Sequence, residues 1–458
     1  MSDISFLYFF LPVFMGIYLI TPKVLKRLLV ILAGAGVIFW ADPVGLIPMG
    51  VCILSGYLFG IFIHNFRDKI WGKVFLGLEI AINAAVFLLF HRTAFDGSDL
   101  MTLLGQRSLV KSAAAIGASV MPLHSVAYCI DVYKKKYVCE HKFTTVAEYI
   151  AFFPTFGAGP ILSFDKMKPQ FEDPKPGFAK CAVGVRMLML GLIMKLFISN
   201  AMYEMWHDVT DIPLKSMPVP AAWLGALGFA MFFYFEVCAF CCMACGMASL
   251  MGLELCYSLP AAIQSKSFRG LCRHANPSLY HWSRKYIYRK IKRDDNGFSE
   301  FLAIMFSVML AVLWYGVSMR SVMFGAALIV VLCFEKILEC PLKKLPGFVR
   351  YILLLFLTLV IIPFMAFSEP AEALLYISAM FGSGDNTLDT ASSYLFGSYS
   401  VPMIMALVVS LGAFGYLKRK KVFNNEYLTT IIQPVWVIAL LIICTAFLVS
   451  GDNCIYMF

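Results

Sequence analysis

The chain has 458 residues, of which 60% are hydrophobic and only 14% charged, and its net charge is +10. Soluble proteins carry about 25% charged residues, so composition excludes an ordinary cytosolic enzyme, a disordered chain and a secreted disulfide scaffold. The apolar residues fall in blocks of about 15–25, the length at which a helix crosses roughly 30 Å of hydrocarbon, which predicts an all-α polytopic membrane protein.

In chain order, the spanning candidates are 4–21, 26–41, 44–63, 74–91, 112–131, 179–200, 218–252 (one long or two short), 301–318, 321–338, 348–368, 398–417 and 430–450. They amount to about eleven transmembrane helices in one domain, 1–458. Ile4–Ile20 runs into Thr21-Pro22-Lys23 rather than a small-residue cleavage site, so it reads as a first membrane helix and not a cleaved leader. A further apolar stretch, 146–163, is broken by Pro154, Gly157, Gly159 and Pro160. It reads as a re-entrant segment, tolerated at membrane depth only where protein buries it or it lines a cavity.

Basic residues mark alternate loops: Lys23, Lys26 and Arg27, then Arg67, Lys69 and Lys73, then Lys134, Lys135 and Lys136. The loop 92–106 instead carries Asp96 and Asp99. Cytoplasmic loops are rich in Lys and Arg, which predicts an outside N-terminus and cytoplasmic runs at Arg284–Arg293 and Lys418–Lys421. Positive charge of this kind reports topology rather than nucleic-acid binding. Within 257–300, Asn276-Pro277-Ser278 reads as a helix start. The helix that follows sets Leu279, Trp282 and Tyr286 against many bases, as an interfacial helix does.

Acids inside spans are costly and are candidates for function. Glu79, Glu236 and Glu335 qualify, and the plainer reading of Glu236 is a protonated carboxyl bonded between helices. Cys238, Cys241, Cys242 and Cys245 share one helical face, yet thiolates are costly in lipid, so packing is expected rather than a metal. No pair among the seven histidines has a spacing of three or four. His274 and His281 lie seven apart in the polar segment, where a base would be useful.

These landmarks resemble the membrane-bound O-acyltransferase family, and within it the bacterial branch that serves alginate O-acetylation. The carriers are Phe6-Leu-Tyr-Phe-Phe-Leu-Pro12, Tyr128-Cys-Ile-Asp-Val-Tyr133 and Phe153-Pro-Thr-Phe-Gly-Ala-Gly-Pro160. Further along come Glu236 to Gly252, Trp282-Ser-Arg-Lys-Tyr-Ile-Tyr288, Phe367-Ser-Glu-Pro-Ala-Glu-Ala373 and the terminal Ile455-Tyr-Met-Phe458. Their order over the whole length is the signal. The resemblance implies transfer of an acyl group, acetyl in that branch, from a cytoplasmic acyl-CoA or acyl-carrier thioester, with no resident cofactor. The acceptor would be an extracytoplasmic cell-envelope polysaccharide or a partner acyltransferase, and the location a bacterial inner membrane.

The family's histidine sits in a Leu-Trp-His-Gly element, and the matching residues here are Leu313-Trp314-Tyr315-Gly316. Asn276 aligns with its second polar position. By resemblance, Tyr315 and Asn276 are the catalytic candidates. Trp314, Gly316, Glu236, His274, His281, Arg273 and Arg284 are expected along the substrate tunnel. A histidine base speeds such transfer by about 10²–10⁴. Tyrosine, with an ordinary pKa near 10, serves better as a hydrogen-bond donor or nucleophile. The rival readings are a catalytically silent homologue acting as a scaffold or acyl-binding component and, more weakly, a transporter, against which stands the lack of paired inverted repeats.

Overall fold

The computed structural model describes residues 4–90, 117–255, 265, 267–292, 297–338, 344–383, 390–410 and 433–449. The loop 92–106, Lys418–Lys421 and the terminal Ile455–Phe458 lie outside the described residues, as do parts of four expected spans, 74–91, 112–131, 398–417 and 430–450.

Apolar runs become helices as expected. Among the described residues, seven helices are long and apolar enough to cross a membrane: Lys23–Ala41, Pro43–Phe66, Ile70–Phe90, Phe178–Thr210, Val219–Leu250, Gly347–Ala366 and Ser392–Ser410. Ser5–Ile20, Gly297–Leu313 and Ile438–Val449 are shorter apolar helices. No strand occurs among the described residues. Exposed Ile20, Val24, Trp40, Ile70 and Ile442 lie along these helices, as lipid-facing side chains do. The protein is a multi-pass membrane protein.

The stretch 218–252 takes the first of its two expected forms, one helix of 32 residues, Val219–Leu250. One expectation changes. The expected span 112–131 appears, in its described part, as a 13-residue helix, Met121–Tyr133, with Met121 to Cys129 all buried. Its apolar residues face protein on every side rather than lipid.

The broken stretch is enclosed by protein. The helix Phe143–Ile150 passes into the 3-10 turn Phe153–Thr155, and Ile150, Phe152, Phe153 and Thr155 are fully buried. Gly34 makes this possible. A Cβ there would lie 2.4 Å from the Ala151 carbonyl oxygen, so only glycine lets the 23–41 helix pass. Small residues serve helix packing in membranes in this way.

The centre of the protein is the pair of helices Phe178–Ile193 and Val219–Leu250. Gly184, Gly191 and Gly246 bring their backbones together: a Cβ on Gly246 would sit 2.6 Å from Leu188 N. Gly246→Val is expected to lower stability by about 1–3 kcal/mol through overpacking. The check is the thermal melting of purified protein in detergent. The buried apolar side chains form two clusters, and Phe6 and Leu188 pack against both.

The interfacial helix is fastened from below. Asp131, nearly fully buried, accepts from Lys136 Nζ at 2.7 Å, Lys285 Nζ at 2.8 Å and Tyr286 Oη at 2.7 Å. Trp282 Nε1 adds a bond to the Leu123 carbonyl at 3.2 Å. Lys135 also pairs with Asp68 at 2.6 Å. The basic loops at 67–69 and 134–136 and the basic segment 284–292 therefore meet. Asp131→Ala leaves two ammonium groups and a phenol without their acceptor. With both lysines partly exposed, we expect a loss of about 1–3 kcal/mol and faster amide exchange in 277–291.

Candidate functional site

A helix break makes the site. Gly297–Leu313 ends in an apolar run, Gly316 adopts φ 144°, and the next helix begins at Met319 with Ser318 as its N-cap. That φ lies where side chains are strained and glycine is not. Ser321 Oγ donates to the Gly316 carbonyl, and Trp314 Nε1 donates to the Ser119 carbonyl at 3.1 Å. With both neighbours pinned, Tyr315 has one direction left. Its ring packs tilted against Phe233, with centroids 4.4 Å apart, and the residue lines a cavity.

Asn276 arrives from another break. Phe268–Ala275 ends and Pro277–Ser283 begins there, with Asn276 in a non-helical conformation between them. Its Oδ1 accepts from Leu279 N at 3.1 Å and Ser278 Oγ at 3.0 Å, which caps the second helix. The oxygen is thus spent and the amide nitrogen is not. Nδ2 is buried with no hydrogen-bond partner. The Asn276 side chain lies beside the Tyr315 phenol.

The cavity measures about 360 Å³. Arg269, Arg284, Tyr280 and Tyr288 line it along with Asn276, Ser307 and Tyr315. Arg269 and Arg284 are exposed, so the basic residues reach solvent while Tyr315 and Asn276 are buried. Ser307 Oγ is a second buried polar atom without a partner. No histidine and no carboxylate lines the cavity among the described residues.

Of the expected site residues, the structure brings together Tyr315, Asn276 and Arg284. Trp314 and Gly316 do not line the cavity but fix the backbone on either side of Tyr315. His274, His281 and Arg273 are also absent from its wall. The Nδ1 of His274 lies 2.9 Å from Ser265 Oγ and 2.8 Å from the Gly270 carbonyl. His281 is exposed, and partial burial followed by the charges of Arg273 and Arg284 holds its imidazole below the usual range.

The three intramembrane acids serve structure. Glu236 pairs with a lysine across helices: Lys195 Nζ lies 2.7 and 2.8 Å from its two oxygens, and Ser199 Oγ donates at 2.6 Å. Glu335 accepts from the Phe268 and Arg269 amides, at the N-terminus of the 268–275 helix, where negative charge is favoured. Glu79 accepts from Ser125 Oγ at 2.6 Å and Asn83 Nδ2 at 2.8 Å. Cys238, Cys241, Cys242 and Cys245 are buried, and Cys241 Sγ donates to the Ala158 carbonyl at 3.5 Å.

The model of the membrane-bound O-acyltransferase family matches residues 139–378. The chain belongs to the membrane-bound O-acyltransferase family. The match contains the broken stretch, both central helices, Asn276 and Tyr315. Among its relatives is the probable alginate O-acetylase AlgI of Pseudomonas aeruginosa, 26% identical over 71% of this chain and 64% of the relative. The chain thus spans a little under two thirds of that protein. The probable alginate O-acetylase AlgI of Pseudomonas syringae pv. tomato is 26% identical over 92% of this chain and 83% of its own length. The peptidoglycan O-acetyltransferase of Helicobacter pylori is 21% identical over 70% and 67%.

Sequence reasoning passed over Lys195 and Ser307. Lys195 had a signal: it is a second charge, of opposite sign to Glu236, inside an apolar block. Ser307 had none, since a serine in an apolar helix is common.

Proposed function

We propose that this protein is a membrane O-acyltransferase that moves an acyl group from a cytoplasmic thioester to a hydroxyl of the cell envelope. The observation that carries this is the cavity, which joins two exposed arginines to two buried hydrogen-bonding groups, Tyr315 and Asn276. The donor's anionic end lies by Arg269 and Arg284, and the acyl carbonyl lies by Tyr315. The acceptor oxygen bonds to the carbonyl carbon, the C–S bond breaks, and the hydroxyl proton passes to the departing thiolate. The Tyr315 hydroxyl and Asn276 Nδ2 donate to the carbonyl oxygen as it gains charge, the kind of help worth about 10²–10³ per donor.

Family membership and the alginate and peptidoglycan O-acetylases among the relatives support an envelope polysaccharide, reached directly or through an extracytoplasmic partner, as acceptor. The meeting of the basic loops supports a cytoplasmic donor side and an extracytoplasmic N-terminus. One observation favours a second reading, a silent acyl-binding homologue: among the described residues, no histidine or carboxylate lines the cavity. The deciding experiment incubates purified protein with labelled acyl-CoA and soluble polysaccharide. Transfer above the no-protein background is expected. Thioester binding without transfer for every donor and acceptor leaves the silent reading standing.

A further inference from the structure

Away from the cavity, the basic loops converge on one ring. Lys285 Nζ lies 4.6 Å from the Tyr286 ring centroid, Lys134 Nζ 5.5 Å and Lys136 Nζ 5.9 Å. Ammonium groups so placed repel one another across little more than a Debye length, about 8 Å at physiological salt. Among the described residues, Asp131 is the one carboxylate that pairs with them, and it takes Lys136 and Lys285. Lys134 and the nearby, exposed Lys290 make no ion pair among the described residues. Burial and then the charges of Lys290 and Lys136 hold the Lys134 ammonium below its usual range, with Asp131 pulling the other way. None of these lysines lines the cavity among the described residues.

The border of this cluster is apolar. Lys135 Nζ pairs with Asp68 at 2.6 Å, which sets the 134–136 turn beside Phe66, Ile70 and Trp71, all exposed. Phe66 ends one spanning helix and Ile70 begins the next. Tryptophan in such a place marks the membrane–water interface. An occupant that answers both features has an anionic head and a hydrocarbon body. We infer that Lys134, Lys136, Lys285 and Lys290 form a binding site for the phosphate of an anionic glycerophospholipid, whose chains lie toward Ile70 and Trp71. Asp131 already holds Lys136 and Lys285, so the phosphate rests mainly on Lys134 and Lys290. Bound there, the lipid bridges the 134–136 turn to the helical segment 277–291 and relieves the repulsion among the lysines. The site is independent of the acyl-transfer reading.

The test measures binding of phosphatidylglycerol and phosphatidylcholine to the full chain in detergent by native mass spectrometry, with inorganic phosphate as competitor. Phosphatidylglycerol is expected to bind more tightly by about fivefold for each of Lys134 and Lys290. Lys134→Gln with Lys290→Gln is expected to remove the preference, and Lys134→Arg with Lys290→Arg to keep it. Lys175→Gln with Lys180→Gln takes the same charge from the surface beside Asp173 and Glu254 and is expected to leave the preference intact. Amide exchange in 277–291 is expected to slow with phosphatidylglycerol in the wild type and not in the Lys134→Gln, Lys290→Gln variant. Equal affinity for the two lipids overturns the site, as does an equal loss in the two glutamine variants. Full displacement of phosphatidylglycerol by inorganic phosphate makes the ligand a free anion and overturns the lipid assignment.

Discussion

Tyr315→His is expected to raise acyl transfer by about 10²–10⁴-fold, the usual worth of a positioned general base. The backbone at this position is held by Trp314, Gly316 and Ser321, so an imidazole would occupy the same direction as the phenol. Burial among Phe233, Phe324 and Val312 favours its neutral form, which is the form that accepts a proton from an alcohol. Tyr315→Phe moves the other way. It removes the hydroxyl and leaves the ring packing, so transfer falls by about 10²–10³ while thioester affinity changes little. The measurement is the initial rate of labelled acyl transfer with one donor and one acceptor. If His, Phe and wild type share one rate above background, position 315 takes no part in the chemistry.

Lys195→Met is expected to destabilise the protein by about 3–5 kcal/mol, the cost of leaving a buried carboxylate without its partner. Lys195 and Glu236 both have fully buried side chains. The pair joins the two central helices, where the π-helical turn Met194–Asn200 holds Lys195 and Ser199, and Ser199 satisfies one Glu236 oxygen further. Glu236→Gln is milder, because an amide still bonds Ser199. The double variant Lys195→Met, Glu236→Met removes both charges and is expected to recover most of the loss, since apolar residues often replace such pairs at no cost. Thermal melting in detergent reads all three. A single variant that melts with wild type would mean that the pair holds nothing together.

Much of the fold was legible because hydropathy reports burial in lipid directly. The blocks at 23–41, 46–66 and 70–90 became helices close to their expected limits, and the broken stretch at 146–163 proved buried in protein. The helix Met121–Tyr133 shows the limit of that signal, since an apolar helix inside protein and one facing lipid have similar compositions. The break at Leu313–Ser318 falls inside the expected span 301–318. Glycine and serine barely dent an apolar window, and only the positive φ of Gly316 reveals the turn. His274 and His281 lie seven apart in the polar segment, but Asn276 ends one helix between them and begins another, and neither lines the cavity. Tyr315 and Asn276 were found by motif, whereas the leucines and isoleucines that line the same cavity look in sequence like any span.

The arrangement around Gly316 has a consequence for how the site changes over generations. The indole of Trp314 and the hydroxyl of Ser321 grip the main chain, and neither grip involves the side chain between them. Position 315 is therefore a socket: its occupant can be exchanged while the frame stays put. A lineage could trade one reactive group for another there by a single codon change, with no refolding of the surrounding helices.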